Sequence, residues 1–378
     1  MTEAPLGLYI HWPYCARICP YCDFNVYRAR GDDEALFNAL LADLAFWADR
    51  LPGRELVSLH FGGGTPSLLS PQRLGQIIEL AGQKFGFVAG AEIGLEANPN
   101  DSKAFASFAA AGINRLSLGV QSFDDDALRA LGRDHDARAA QDAVEAVARN
   151  FSNGSLDLIY AREGQRESGW LKELDAAIAT GVPHLSLYQL TIEPGTAFAR
   201  RVSRGELTPP GDETGERLYR LTQQVCRDAG LAGYEISNHA RPGSESRHNR
   251  LYWEGGDWIG IGPGGHGRIG SGGAGGRLAT ETALRPDDYV TLVRETGTGA
   301  IESRLSSVEE AQERILMGLR IADGLDRSRL RHLTGLDINT DEASRMARQG
   351  FIVLDDDRVR LTAEGRLLAD CVAAALCP

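Results

Sequence analysis

At 378 residues, with 43% hydrophobic and 24% charged residues, the chain is sized and composed for one large globular domain plus a smaller one. A formal net charge of −12 excludes a phosphate-tracking nucleic-acid binder, which needs clustered Lys and Arg. Met1-Thr2-Glu3-Ala4-Pro5-Leu6-Gly7 has no basic stretch followed by an apolar run, and no segment approaches about 18 uncharged apolar residues, so neither a secretory signal nor a transmembrane helix is expected.

Leu6 to Ile10 reads as a first strand that runs directly into His11-Trp12-Pro13-Tyr14-Cys15-Ala16-Arg17-Ile18-Cys19-Pro20-Tyr21-Cys22-Asp23-Phe24. Three of the six cysteines fall within eight positions here, as CxxxCxxC. Three thiolates on one loop suit three irons of a 4Fe-4S cluster and leave the fourth iron open for a ligand. A closed zinc site wants a fourth protein ligand, and none is obvious. A redox-active pair at Cys19 and Cys22 is the other alternative; a disulfide framework fails because three is odd. Free thiols for a cluster fit a reducing compartment, so a cytoplasmic protein is expected. Cys226, Cys371 and Cys377 are scattered and read as ordinary small apolar residues.

Further on, apolar runs alternate with helical patterns. Strands are expected at 56–61, 92–97, 115–120, 155–160 and 184–190, and helices at 33–47, 71–85, 102–111, 137–148 and 168–180. Six strands alternating with helices imply parallel strands joined by crossovers. The cysteine loop resembles neither a dinucleotide fingerprint nor a P-loop, which favours an α/β fold of partial (β/α)6 barrel type over a doubly wound sheet. A helix follows at 216–229, then a glycine-, aromatic- and histidine-rich stretch from Tyr234 to about Ala274, with a loop or hairpin tip at Gly270 to Gly276. Gly260 to Gly265 matches GxGxxG, but Pro263 interrupts it and no strand–turn–helix unit surrounds it; a turn near the active mouth with His266 is expected. His60 reads as a core residue on a buried strand. Helices at 307–321, 326–333 and 341–349, a hairpin over 350–361 and a last helix at 362–376 suggest a winged-helix-like module. In so acidic a chain this module is expected to pack or to cover a substrate rather than to bind DNA. The expected domains are 1–300 and 301–378.

In barrels, chemistry sits at the C-terminal ends of the strands. Polar or glycine residues recur at these ends: Tyr9, Gly62-Gly63-Gly64-Thr65, Glu96, Gln121, Asp157, and Arg133 in the following loop. Such a crown suits a small zwitterion with a ribose. Glycines allow close approach, carboxylates take ammonium and hydroxyl groups, and Arg133 answers negative charge.

CxxxCxxC followed by an aromatic residue, after a Tyr-x-His strand and before GGGTP, resembles the radical S-adenosylmethionine superfamily. Leu8 to Phe24, Phe61 to Ser67, Glu96-Ala97-Asn98-Pro99, Gly119 to Phe123 and Tyr188 to Thr196 resemble, more narrowly, the oxygen-independent coproporphyrinogen III oxidase family. The resemblance implies that Cys15, Cys19 and Cys22 ligate a 4Fe-4S cluster. It implies that Tyr9, Gly63, Gly64, Thr65, Glu96, Gln121, Arg133 and Asp157 contact S-adenosylmethionine, and that a reduced cluster cleaves that molecule to methionine and a 5′-deoxyadenosyl radical.

The oxidase motif resembles CxxxCxxCxC, whereas Phe24 stands at its last position here. That departure is similar to the sister branch, the haem chaperones. His248-Asn249-Arg250-Leu251-Tyr252-Trp253 resembles that branch's HNxxYW haem-binding segment, which implies His248 and Tyr252 as haem contacts. The branch implies haem as cargo, haem-accepting respiratory proteins as receivers at the membrane surface, an electron donor for the cluster, homodimerisation, and no nucleic-acid partner. The alternative is the oxidase activity itself, oxidative decarboxylation of coproporphyrinogen III to protoporphyrinogen IX. One further departure, Asp157-Leu158-Ile159-Tyr160-Ala161-Arg162-Glu163-Gly164-Gln165, puts two extra charges in a loop where relatives read closer to DLIYGLPGQ.

Overall fold

The computed structural model describes residues 4–29, 31, 33–270 and 276–378. β1 (Leu6–Trp12) leads into the cysteine loop, where β2 (Tyr14–Cys15) and β3 (Tyr27–Arg28) form a short parallel ribbon. β4 (Leu56–Gly63), β5 (Phe87–Ala97), β6 (Arg115–Gln121), β7 (Asn153–Tyr160) and β8 (His184–Gln189) follow, each reached through a helix. β9 (Ala232–Gly233) and β10 (Asn238–Ala240) come next, then β11 (Asp257–Ile261), β12 (His266–Ile269), β13 (Leu278–Thr282) and β14 (Ala300–Arg304).

These strands form one sheet, ordered β14-β13-β12-β11-β1-β4-β5-β6-β7-β8-β10-β9. β1, β4, β5, β6, β7 and β8 are parallel and lie side by side in chain order. A doubly wound sheet would reverse that order at a switch point; here it never reverses, which is the partial barrel. β11 adds a seventh parallel strand beside β1, and antiparallel strands extend both edges.

Period-2 alternation explains why the sheet curls around a polar interior. On one face Leu6, Leu8, Ile10, Leu59, Phe61, Leu95, Leu116, Leu118, Leu156, Leu158, Leu185 and Leu187 are buried in the main core with the helices. On the other face stand Gly7, Tyr9, Ser58, His60, Glu92, Gly94, Glu96, Ser117, Ser155, Asp157, His184 and Ser186. The strand registers set Tyr9 beside His60, Glu96 beside Ser117 and Asp157 beside Ser186, so the polar residues meet in rings.

A second core gathers Ile315, Leu319, Leu330, Val359, Val372 and Leu376 near the C-terminus. Around it lie helices Ser307–Arg320, Arg327–Thr334 and Thr340–Arg348, and a three-stranded sheet of β15 (Leu325–Asp326), β16 (Ile352–Leu354) and β17 (Arg358–Leu361), ordered β15-β17-β16. The expected final helix is two, Ala363–Arg366 and Ala369–Leu376. The expected glycine-rich tip lies between the paired strands β12 and β13, and its residues 271–275 are outside the described residues. Among the described residues, no helix is long and apolar enough to cross a membrane.

Candidate functional site

The cysteine loop crosses the C-terminal mouth of the barrel and is tied down on three sides. The Tyr27 amide donates to the Pro13 carbonyl at 2.7 Å, and the Ala29 amide to the Cys15 carbonyl at 3.0 Å. The Gly64 amide donates to the Trp12 carbonyl at 2.7 Å, and the Thr65 amide to the Tyr14 carbonyl at 2.9 Å. The Phe198 amide donates to the Pro20 carbonyl at 2.9 Å, from the far side of the mouth. A Cβ at Gly64 would sit 2.8 Å from the Tyr14 carbonyl oxygen, so only glycine lets the end of β4 pass this close to the loop. The GxGxxG stretch begins in the last two residues of β11 and then turns into β12, and Asn25 donates to its Pro263 carbonyl at 2.9 Å.

All three loop cysteines are free thiols; Cys15 is buried, and Cys19 and Cys22 are half-buried. Burial pushes the Cys15 thiol up and the Cys22 thiol up to about 11. Iron ligation would deprotonate both, as bound cations do to coordinating thiols. Among the described residues, no group of three or more His, Cys, Asp or Glu is set to hold a metal ion. Soft thiolates on one loop fit an iron–sulfur cluster, which takes each sulfur on its own iron.

Arg133 links the loop to the strand ends. It donates to Cys19 Sγ at 3.4 Å, to Asn98 Oδ1 at 2.5 Å and to the Gly119 carbonyl at 3.1 Å, while its buried Nε has no partner among the described residues. Thr65 is buried and accepts from Asn98 Nδ2 at 3.4 Å. Gly63 has φ +109°, and Gln121, at a break in the β6–β7 register, has φ +66°. A non-glycine residue held left-handed at a strand end is the kind of strain that collects at working sites.

Deeper in the lumen, the Tyr9 hydroxyl is 3.1 Å from His11 Nδ1, and His60 Nε2 is 3.4 Å from Glu96 Oε1. Asp157 accepts from Ser117 Oγ at 2.9 and 3.0 Å. Burial raises its carboxyl to about 6; the Ser117 and Ser186 hydroxyls pull it down, and Glu96 adds to the rise. Of the expected residues, Gly64, Thr65 and Arg133 touch the cysteine loop, Gly63 and Gln121 stand at neighbouring strand ends, and Tyr9, Glu96 and Asp157 lie deeper on the same lumen face.

The HNRLYW segment lies at the other end. It is a short helix, Arg247–Trp253, that closes the barrel floor. Glu92 receives its first turn: Ser246 Oγ donates at 3.1 Å, the Arg247 amide at 3.1 Å and the His248 amide at 3.0 Å, which satisfies orphan donors of the helix start. His248 is 1% exposed. Its Nδ1 is 2.8 Å from Ser58 Oγ and its Nε2 is 2.6 Å from the Tyr252 hydroxyl, so both ring nitrogens are engaged. Burial, with His60 adjacent, holds the ring well below its ordinary value. An iron could reach this ring only after the helix moved and a hydrogen bond broke. His60, expected to be a plain core residue, stacks against both Tyr9 and His248, with centroids 6.4 and 4.9 Å away, and Tyr9 and His248 in turn lie 6.3 Å apart, so the three rings cluster.

Sequence reading passed over Glu92, Asn98 and Asn25. Glu92 and Glu96 share one strand face, four positions apart, and that period was the available signal. Arg162, one of the two extra charges after Asp157, forms a buried ion pair with Glu173, whose carboxylate also accepts from Ser122 and from the Phe123 amide. The substitution-rich loop is thereby satisfied, and Ala161 turns it with φ +55°.

The Radical SAM superfamily profile matches residues 9–176, and the HemN C-terminal domain profile matches residues 305–368. The chain is 39% identical to radical S-adenosyl methionine domain-containing protein 1, mitochondrial, of Bos taurus, over 98% of this chain and 87% of that protein. It is 38% identical to heme chaperone HemW of Mycobacterium tuberculosis, over 100% of this chain and 96% of that protein. With heme chaperone HemW of Escherichia coli it shares 35% identity over 96% of each. Among solved structures, coproporphyrinogen III oxidase HemN of Escherichia coli superposes with a TM-score of 0.83 at 23% identity, covering 99% of this chain and 90% of that one, which establishes the shared fold. A mouth with three loop cysteines, a matching superfamily profile and full-length likeness to heme chaperones lead to one assignment: the chain belongs to the radical S-adenosylmethionine superfamily, in the HemN-like family and its haem chaperone branch.

Proposed function

We propose that the protein is a haem carrier in which Cys15, Cys19 and Cys22 hold a 4Fe-4S cluster and the strand-end residues hold S-adenosylmethionine beside it. The observation that carries this reading is the position of Arg133, in hydrogen-bond contact with Cys19 Sγ and with the end of β6 at once. One guanidinium therefore serves both the thiolate loop and the crown. Glu96 and Asp157 suit the ammonium and ribose hydroxyls of the bound molecule, Arg133 its carboxylate, and Gly63, Gly64 and Thr65 its close approach to the backbone; Tyr9 and Gln121 complete the walls. When bound, the cluster supplies single electrons to S-adenosylmethionine. The protein's own work is to orient that molecule and keep water from it.

Haem is the proposed cargo, with respiratory-type proteins as receivers, a separate electron donor for the cluster, and the cytoplasm as the site of action. The chaperone reading rests on the full-length likeness to heme chaperones and on Phe24. This side chain, 62% exposed at the mouth, stands where the oxidase motif carries a further cysteine. We also propose a division into two domains, supported by the two separate cores, with the expected boundary of 300/301 moved to about 305 because β14 (Ala300–Arg304) belongs to the barrel sheet.

The test is one anaerobically reconstituted sample assayed for haem binding and for coproporphyrinogen III turnover side by side. Haem binding without turnover is expected. Conversion to protoporphyrinogen IX would replace the carrier reading with the oxidase. In the same preparation Cys19→Ala should remove the cluster's visible absorbance, and an intact cluster in that variant would refute the ligand set.

A further inference from the structure

The three loop thiols do not share one environment. The Thr65 hydroxyl lies against Cys15 and the Phe24 amide against Cys22, and both donors are neutral. Cys19 instead faces a cation: Arg133 Nη1 is 3.4 Å from its Sγ. The Tyr21 hydroxyl reaches the same sulfur and the same guanidinium. Tyr21 is held in turn by its ring, 6.2 Å from that of Phe198, and by the Phe198 amide bonded to the adjacent Pro20 carbonyl.

Arg133 is aimed from behind. Its Nη2 donates to Asn98 Oδ1 at 2.5 Å and to the Gly119 carbonyl at 3.1 Å. Asn98 is itself oriented, because its Nδ2 donates to Thr65 Oγ1 at 3.4 Å. The turn that carries Arg133 packs straight onto the cysteine loop, where a Cβ at Gly132 would sit 2.5 Å from Pro20 Cδ. The guanidinium is largely buried, and its hydrogen-bond acceptors among the described residues are an amide, a carbonyl and a thiol, with no carboxylate. A cation taken out of water needs a counter-charge. Cys19, as an iron-bound thiolate, supplies one.

We infer that Tyr21 and Asn98 are positioning residues that fix Arg133 on the Cys19 sulfur, and that this bracket raises the reduction potential of the cluster the loop holds. The inference rests on the reading of Cys15, Cys19 and Cys22 as cluster ligands. An added electron makes the thiolates more negative, and a cation and a hydroxyl donor on one sulfur stabilise that added charge. The bracket therefore makes the cluster easier for its electron donor to reduce. The buried Nε of Arg133, without a partner among the described residues, is left for the carboxylate of S-adenosylmethionine.

The full-length protein is reconstituted anaerobically without S-adenosylmethionine, its iron content is measured, and the cluster is titrated with dithionite and redox mediators. The electron paramagnetic resonance signal of the reduced form is the readout. Arg133→Gln should lower the ratio of reduced to oxidised cluster at a fixed potential by about tenfold or more, a shift of about 59 mV to the negative for a one-electron couple. Tyr21→Phe, which keeps the ring against Phe198 and loses only the hydroxyl, should lower that ratio by about threefold. Asn98→Ala, which touches no cysteine, should fall between the two. A merely structural role would lower the iron content and leave the potential of the loaded fraction in place. Potentials that stay or rise in Tyr21→Phe and Asn98→Ala would overturn the bracket while leaving the cluster reading intact. No cluster in the unaltered protein would overturn both.

Discussion

His248 on the floor helix and Ser58 on β4 are joined by a 2.8 Å hydrogen bond across 190 residues of chain. That contact, with the Tyr252 hydroxyl on the other ring nitrogen, makes His248 a keystone of the barrel floor. His248→Ala should lose both bonds and leave a cavity, destabilising the protein by about 2–4 kcal/mol in urea unfolding. Because His248 stacks on His60, which contacts Glu96, affinity for S-adenosylmethionine should fall as well. A variant of unchanged stability would show that the floor does not depend on this ring.

Gly63 carries φ +109°, and a Cβ there would lie 2.8 Å from the His11 ring. Gly63→Ala should cost about 1–3 kcal/mol from backbone strain and displace His11. Calorimetric S-adenosylmethionine binding should weaken in parallel, and unaltered binding would remove Gly63 from the site.

Arg162 and Glu173 form a buried ion pair, with side chains 11% and 9% exposed. Removing one partner leaves an uncompensated charge, so Arg162→Ala should cost about 3–5 kcal/mol. Arg162→Ala/Glu173→Gln should be less damaged than Arg162→Ala alone, because Gln can still accept from Ser122. Additive losses in chemical denaturation would contradict this account.

Burial holds His11, His135, His184, His239 and His248 below their ordinary value, His239 at about 4. Each is neutral when folded and takes a proton on unfolding once the pH is below about 6.5. Their stabilising contribution is complete above that pH and is lost as the pH falls through it toward the folded values, by up to about 1.4 kcal/mol per pH unit per histidine. Asp157, raised to about 6, and Asp43 and Asp101, also raised by burial, run the other way: their contribution is present at low pH and is lost as the pH rises, for Asp157 to about 6. Histidines prevail by number, so denaturant midpoints should drop from pH 7 to pH 5. A flat or rising profile would mean these rings are not held neutral.

Much of the barrel was legible because its information is local. Short apolar runs alternating with helical patterns marked the strands from Leu6 to Gln189, and glycine or polar residues marked their ends. The short helix Arg247–Trp253 escaped, since seven residues span too few turns to display a helical period. Its amides are satisfied by Glu92, some 155 positions earlier, and only folding brings the two together.

By itself, then, the sequence determined the cysteine spacing, the strand-end crown and the family, because each is written in residues close along the chain or at fixed offsets on a strand. Tertiary structure alone decided which way the HNRLYW segment faces. A helix buries the side that finds partners, and Ser58, Glu92 and Tyr252 claimed His248 for the floor. The opposite side was left to Arg250 and Trp253, facing arginines that the chain supplies only from its C-terminal module.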